Sequence, residues 1–149
     1  MGRIMPWIKP IKQKEMEELC IEHKKEGPSP LFDRMLANDP DLFEAFVPLQ
    51  KAIKETSMCD SLREAIITFV SMKNGCDFCT KAHKEALEQY IDQPDLLSWL
   101  ENYSDYEMSE EWKAALQYAE RLIAKPADVT IEDIRRLEAC GYTPKQIVE

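Results

Sequence analysis

Apolar residues recur three and four positions apart along almost the whole chain, and nowhere do they alternate with polar ones over the length of a strand. A helix brings such residues onto one face, whereas a strand needs every second one. The chain is therefore expected to be all-α. At 149 residues it has the size of one domain. With no internal repeat and no low-complexity linker, a single-domain helical bundle over 1–149 is expected.

The pattern divides into segments with their own start and stop signals. Lys12 to Lys25 carries Met16, Leu19 and Cys20 on one side and stops at Gly27-Pro28. A short helix is predicted over Pro30 to Ala37. Asp39-Pro40 opens a longer one through about Thr56, with Leu42, Phe43, Phe46, Leu49 and Ile53 inward and Pro48 as a point of bending. Asp60 or Ser61 then caps a central helix to about Met72, with Leu62, Ala65, Ile66, Phe69 and Val70 inward and Ile67 and Met72 widening the apolar surface. Asn74-Gly75 supplies a left-handed stop, and the next helix runs from about Cys76 to Tyr90. Further helices are predicted over Pro94 to Leu100, after Ser109 with Trp112, Ala115, Leu116, Ala119 and Leu122 inward, and from Ile131 to Cys140 behind a Thr130/Asp133 cap, with Gly141 closing it. Thr143, Pro144 and Gln146 begin a last helix that Glu149 cuts short.

A formal net charge of −9 argues against a protein that neutralises phosphates, since nucleic-acid binding needs a basic face. An acidic membrane surface would repel it as well. The longest apolar run, Ala65-Ile66-Ile67 followed by Phe69-Val70, is too short to span a bilayer, and Met1 to Trp7 lacks the features of a secretory signal. A cytoplasmic location is expected. Five unevenly spread cysteines, Cys20, Cys59, Cys76, Cys79 and Cys140, do not form a secreted disulfide framework.

The chemistry concentrates in Cys76-Asp77-Phe78-Cys79-Thr80-Lys81-Ala82-His83. On a helix, residues three and four apart lie about 5–6 Å from each other at Cβ, so Cys76 reaches Cys79 and Cys79 reaches His83. The helix N-terminus, the imidazole, and Lys81 and Lys84 all favour a thiolate. Such a thiolate reduces a peroxide to give a sulfenic acid, and a neighbouring thiol condenses with it before irreversible over-oxidation. His83 shares a stripe with Cys79, Ala82, Ala86 and Tyr90, so it is placed facing inward, where it can take up the thiol proton or protonate a departing alcohol. A zinc site and inert packing compete with this reading, although zinc finds only three ligands here and the other candidates, Cys20 with His23 and Cys140, lie far off in sequence. Glu64 and Arg63 are the only charged residues between Leu62 and Met72, in a central helix that otherwise looks buried. Either Glu64 orients His83 from across a helix pair, or it closes a capping box over Ser61-Leu62-Arg63-Glu64.

Glu64, eleven intervening residues, Cys76-Asp77-Phe78-Cys79, three more residues and His83 together resemble the signature of alkylhydroperoxidase D-like proteins of the carboxymuconolactone decarboxylase superfamily. Leu62 to Ile67 and Asn74 to Cys79 also resemble that family, and weaker similarity extends from about Met5 to the C-terminus. The resemblance implies an all-helical homo-oligomer with thiol peroxidase or disulfide reductase activity, acting on a small hydroperoxide with no metal and no cofactor. By motif position Cys79 resembles the peroxidatic cysteine, Cys76 the resolving one, and His83 and Glu64 the proton relay. Helix-dipole reasoning alone would favour Cys76 as attacker, while the imidazole four residues on favours Cys79. An external dithiol, which a lipoyl-bearing protein supplies to some relatives, is implied as reductant. Phe78 stands where some relatives carry a histidine, and relatives continue beyond the position of Glu149.

Two other classes remain open, a redox sensor and a zinc-bound module. Cys20, Cys59 and Cys140 are expected to be small core residues. Met16, Phe43, Phe46, Phe69 and Trp112 are expected to pack the core rather than contact a flavin or haem.

Overall fold

The computed structural model describes residues 6–19 and 27–149. Among the described residues every regular element is helical, as the spacing predicts, and none of these helices is long and apolar enough to cross a membrane. The chain gathers into two compact units, Met1–Glu55 and Thr56–Glu149.

In the first unit, α1 (Gln13–Leu19), α2 (Leu31–Leu36) and α3 (Pro40–Lys54) enclose Met16, Ala37, Phe43 and Val47. The remainder of the helix predicted from Lys12 to Lys25, with Cys20 and His23, lies outside the described residues. The Ile11 amide donates to the Arg34 carbonyl (3.1 Å), and Arg34 Nε donates back to the Ile11 carbonyl (2.8 Å), which ties the segment before α1 onto α2. Asp39 caps α3 by accepting from the Leu42 amide at 3.0 Å, and Pro40 takes the first helical position, where its missing N–H costs nothing. Helix α3 continues through Pro48 to Lys54. Its inward face differs from the one predicted. Phe43 and Val47 are buried, whereas Leu42, Leu49 and Ile53 are exposed and Phe46 is half-buried against Phe32, with ring centroids 5.9 Å apart. The helix carries two adjacent apolar stripes, and the shorter one meets Met16 and Ala37.

The second unit is built around α4 (Asp60–Lys73), which packs against α5 (Asp77–Leu87), α6 (Leu96–Glu101) and α7 (Glu110–Ala124). Its residues Ala65 and Phe69 join Leu87, Leu96, Leu100, Leu116 and Ala119 in one core. Phe69 is fully buried, edge-on to Tyr103 with centroids 5.7 Å apart. One turn earlier, Leu62 joins a second core with Ala114, Ala115, Leu137 and Tyr142. The polar residues Thr68 and Ser71 are also buried on α4, each donating its hydroxyl to the carbonyl four residues back at 2.7 Å. The expected inward face thus holds at Leu62, Ala65 and Phe69, with Ile66 and Val70 half-buried beside them. Neither Asp60 nor Ser61 caps this helix. Cys59 occupies the cap position without a side-chain capping bond, its sulfur lying 3.5 Å from the Ser61 hydroxyl, and it is exposed rather than part of the core.

The start of α7 and both ends of α8 (Ile131–Ala139) follow sequence signals closely. Ser109 Oγ accepts from the Trp112 amide, and Ala114 is buried with Ala115, Leu116 and Ala119, while Leu122 near the far end is exposed. Thr130 and Asp133 form a reciprocal capping box. Helix α8 ends with the Gly141 amide on the Glu138 carbonyl and the Tyr142 amide on the Leu137 carbonyl, at φ +94° for Gly141. This is a Schellman stop, and the contact that accompanies it pairs Leu137 with Tyr142 in the core. The last helix, α9 (Pro144–Val148), has its own capping box from Thr143 and Gln146. Glu149 then accepts from the Ser57 hydroxyl at 2.6 Å and the Ser57 amide at 3.1 Å, and these bonds hold its carboxyl below the usual carboxylate range. Cys140 is half-buried at the edge of the second core.

Truncating Phe69 to Ala is expected to cost about 3–5 kcal/mol, read by chemical denaturation. Asp133, held low mainly by the Thr130 amide and also by Arg121, should make stability pH-dependent. A carboxylate whose folded value is depressed contributes fully above its unfolded value of about 4 and loses that contribution as pH falls through the folded value. Unfolding midpoints of wild type and Asp133→Asn should therefore differ by a constant amount near neutrality and converge in acid.

Candidate active site

The turn between α4 and α5 places the cysteines. Gly75, at φ +67°, lets the chain reverse, with the Gly75 amide on the Met72 carbonyl (3.0 Å) and the Cys76 amide on the Ser71 carbonyl (2.9 Å). These two bonds are a second Schellman stop. Cys76 is at once the residue that completes this stop and the N-cap of α5, where its sulfur accepts from the Cys79 amide at 3.3 Å. Cys79 follows in the first turn of α5. Cys76 and Cys79 are joined as a disulfide, with Cα atoms 5.4 Å apart. That separation lies within the ordinary range for such bonds. Both residues are half-buried.

Glu64 and His83 are brought together from neighbouring helices, the carboxylate Oε2 lying 2.7 Å from the imidazole Nδ1. The Glu64 side chain is only 14% exposed, and His83 is 37% exposed. Of the two arrangements left open by the sequence, Glu64 adopts the one across the helix pair. The local capping box from Ser61 does not form. With Nδ1 bonded to the carboxylate, the other ring nitrogen is the one left to serve a reacting group.

Sequence reasoning missed how this carboxylate is supported. Arg63, 13% exposed at its side chain, places Nε 3.8 Å from Glu64 Oε1 and Nη2 2.7 Å from Asp60 Oδ1. Asp60 in turn accepts from the Tyr90 hydroxyl at 3.4 Å, just beyond the end of α5. Asp60, Arg63 and Glu64 thus make a charged first turn on α4 that bonds to α5 at His83 and just past its end at Tyr90. The spacing of Asp60 and Arg63, three apart on a helix, was the available signal.

Two expectations for the stripe around His83 need correction. Ala82 and Tyr90 are exposed, and Leu87 is the buried residue of this helix. Helix α5 ends at Leu87, so Tyr90 falls past the regular spacing that put it in the stripe. Lys84 is committed to Glu88 one turn on, which diminishes its pull on a thiolate. Phe78, between the two cysteines in sequence, is 58% exposed. Among the described residues no group of three or more His, Cys, Asp and Glu side chains is arranged to hold a metal ion.

A family model described as the carboxymuconolactone decarboxylase family matches residues 40–121, more than half of the chain. The chain belongs to that family. Comparison with solved structures agrees on the fold. An uncharacterized peroxidase-related protein from Silicibacter sp. TM1040 superposes with a TM-score of 0.76 at 23% identity, covering 98% of this chain and 78% of that one. The debrominase Bmp8 in its apo form gives 0.77 at 20% identity over 98% of this chain and 81% of its own. Bmp8 bound to 2,3,4-tribromopyrrole gives 0.77 at 19% identity, over 99% and 81% respectively. A comparison with curated proteins found no match.

The disulfide closes a ring of only four residues, so opening it should change little else. In the chain-entropy account a loop this short is worth about 2 kcal/mol at most. Reduction with a strong dithiol is expected to leave the far-ultraviolet circular dichroism unchanged and to lower the unfolding free energy by no more than that amount. A loss of helix on reduction would show that the bond supports the fold.

Proposed function

We propose that the chain is a cysteine-based hydroperoxide reductase with an antioxidant role, cycling between the dithiol and the Cys76–Cys79 disulfide. The observation that carries this reading is the pairing of a two-cysteine turn with a Glu64–His83 couple 2.7 Å apart on the adjoining helices. Family membership and the peroxidase-related neighbour support the same class of chemistry.

In the proposed cycle the Cys79 thiolate attacks one oxygen of a hydroperoxide and the O–O bond breaks. The leaving alkoxide takes a proton from His83 and departs as an alcohol, while Glu64 steadies the imidazole through both protonation states. Cys79 is then a sulfenic acid. The Cys76 thiol attacks that sulfur, an S–S bond forms, and the hydroxyl leaves as water after taking up a proton. Two electrons have passed from the dithiol to the peroxide. An external dithiol, for instance on a lipoyl-bearing protein, returns them by exchange through a mixed disulfide. Because Phe78 occupies the position where some relatives carry a second histidine, His83 bears the proton transfers of both half-reactions. The homo-oligomer implied by the family resemblance belongs to the same proposal.

A second reading takes its motive from Bmp8, which is a debrominase. The same dithiol could reduce a bromoaromatic compound, with hydrogen replacing bromine, bromide and a proton released, and the disulfide formed. General disulfide reduction uses the same two sulfurs.

The deciding experiment treats the fully reduced protein with one equivalent of an organic hydroperoxide and follows intact mass and cysteine-containing peptides. Wild type should lose two hydrogens to a Cys76–Cys79 bond, Cys76→Ser should retain an oxidised Cys79, and Glu64→Gln should slow the reaction about 10-fold or more. If both cysteines stay reduced in excess peroxide, the peroxidase reading fails. Bromide release from a bromopyrrole, with the disulfide formed in step, would put the second reading in its place.

A further inference from the structure

The second unit also contains a cleft of about 340 Å³ walled by the segment after α6, by α7 and by α8. The Cys140 thiol lines one side, donating weakly to the Glu110 carbonyl at 3.7 Å. Lys113 and Arg136 supply two cations, and Ser104 and Gln117 supply neutral hydrogen-bonding groups. Arg136 bonds Gln117 through Nη1. Among the described residues no carboxylate lies within 4.0 Å of either cation. Asp133, which feels the charge of Arg136, is already engaged by Arg121 and Thr130. Glu110 is the one carboxylate on the cleft wall, so the lining carries two positive charges against one negative in a chain whose net charge is −9. Tyr103 closes the cleft but is committed to Glu120 at 2.9 Å, and burial with that bond pushes its hydroxyl up to about 12.

A concave site with paired cations and a free thiol suits a small molecule that carries both carboxylates and sulfur. We propose that Cys140 forms a mixed disulfide with an acidic low-molecular-weight disulfide of the glutathione type, whose carboxylates are drawn in by Lys113 and Arg136. The reaction is thiol–disulfide exchange. Cys140 gives up its proton and attacks one sulfur of the disulfide, the original S–S bond breaks, and a bond between Cys140 and that half forms. The other half leaves as a thiolate and takes up a proton, so Cys140 is oxidised as one equivalent of small thiol is released. No peroxide enters, and the site is separate from Cys76 and Cys79.

Cys59 provides an internal comparator, because it is exposed and does not line the cleft. On exposure alone Cys59 should react before Cys140 with any disulfide. Full-length protein with Cys76 and Cys79 oxidised is incubated with oxidised glutathione or with neutral 2-hydroxyethyl disulfide, and modification at each cysteine is timed by peptide mass spectrometry. The Cys140-to-Cys59 rate ratio should be about tenfold higher for oxidised glutathione than for the neutral disulfide, the scale of electrostatic attraction into a charged cleft. High salt should erase that preference. Lys113→Gln, and Lys113→Gln with Arg136→Gln, should bring the ratio for oxidised glutathione down towards the neutral value while leaving the neutral ratio unchanged. Equal ratios for the two disulfides in wild type, or a preference that survives in the double variant, would overturn the proposal.

Discussion

The arrangement of the second unit depends on the reversal at Gly75. A backbone conformation with φ near +67° is open to glycine at little cost, and here it lets two amides return to carbonyls of the helix just ended. The same few residues stop α4, start α5 and set the two sulfurs side by side. Because the connection is so short, α4 and α5 must lie against each other, and Glu64 near the start of one comes opposite His83 in the other. Site and fold therefore share a cause, and the catalytic proposal needs no mobile loop to assemble it.

The remaining core gives that helix pair its rigidity. Ala65 and Phe69 on α4 and Leu87 on α5 are closed over by Leu96, Leu100 and Leu116, while Leu62 extends the packing to Leu137 and Tyr142. Polar residues within this helix are satisfied locally, Thr68 and Ser71 by their own helix, and Glu64 by the imidazole with Arg63 close by. Arg63 also reaches Asp60, so the carboxylate facing His83 stands in a connected set of charges rather than as an isolated buried anion. An unpaired carboxylate in such a place would be costly.

Much of this was legible in the sequence, for reasons that differ between elements. The all-helical class followed from spacing that has no strand counterpart, and the ends of α4, α7 and α8 from Gly75, Ser109, Thr130 and Gly141, residues with narrow conformational uses. The meeting of Cys76 with Cys79 was legible because both lie within one helical turn. Glu64 was legible only as an anomaly, since a sequence does not state which helix packs on which, and the two roles left open for it were separated by tertiary structure. The inward face of α3 was misread because Leu42, Leu49 and Ile53 form as regular a stripe as Phe43 and Val47, and periodicity alone cannot choose between adjacent stripes. Cys59 was misplaced for a related reason. Small apolar character suggested the core, whereas its position just before α4 put it at the surface.

Cys76 and Cys79 are neighbours along the chain as well as in space, so their bond closes no more than a single turn of backbone. Under the proposed cycle, a protein built this way stores two electrons without broadcasting its charge state to distant surfaces. In that cycle, any partner that distinguishes the full form from the spent one must come to the turn itself and read it there, where Phe78 lies exposed.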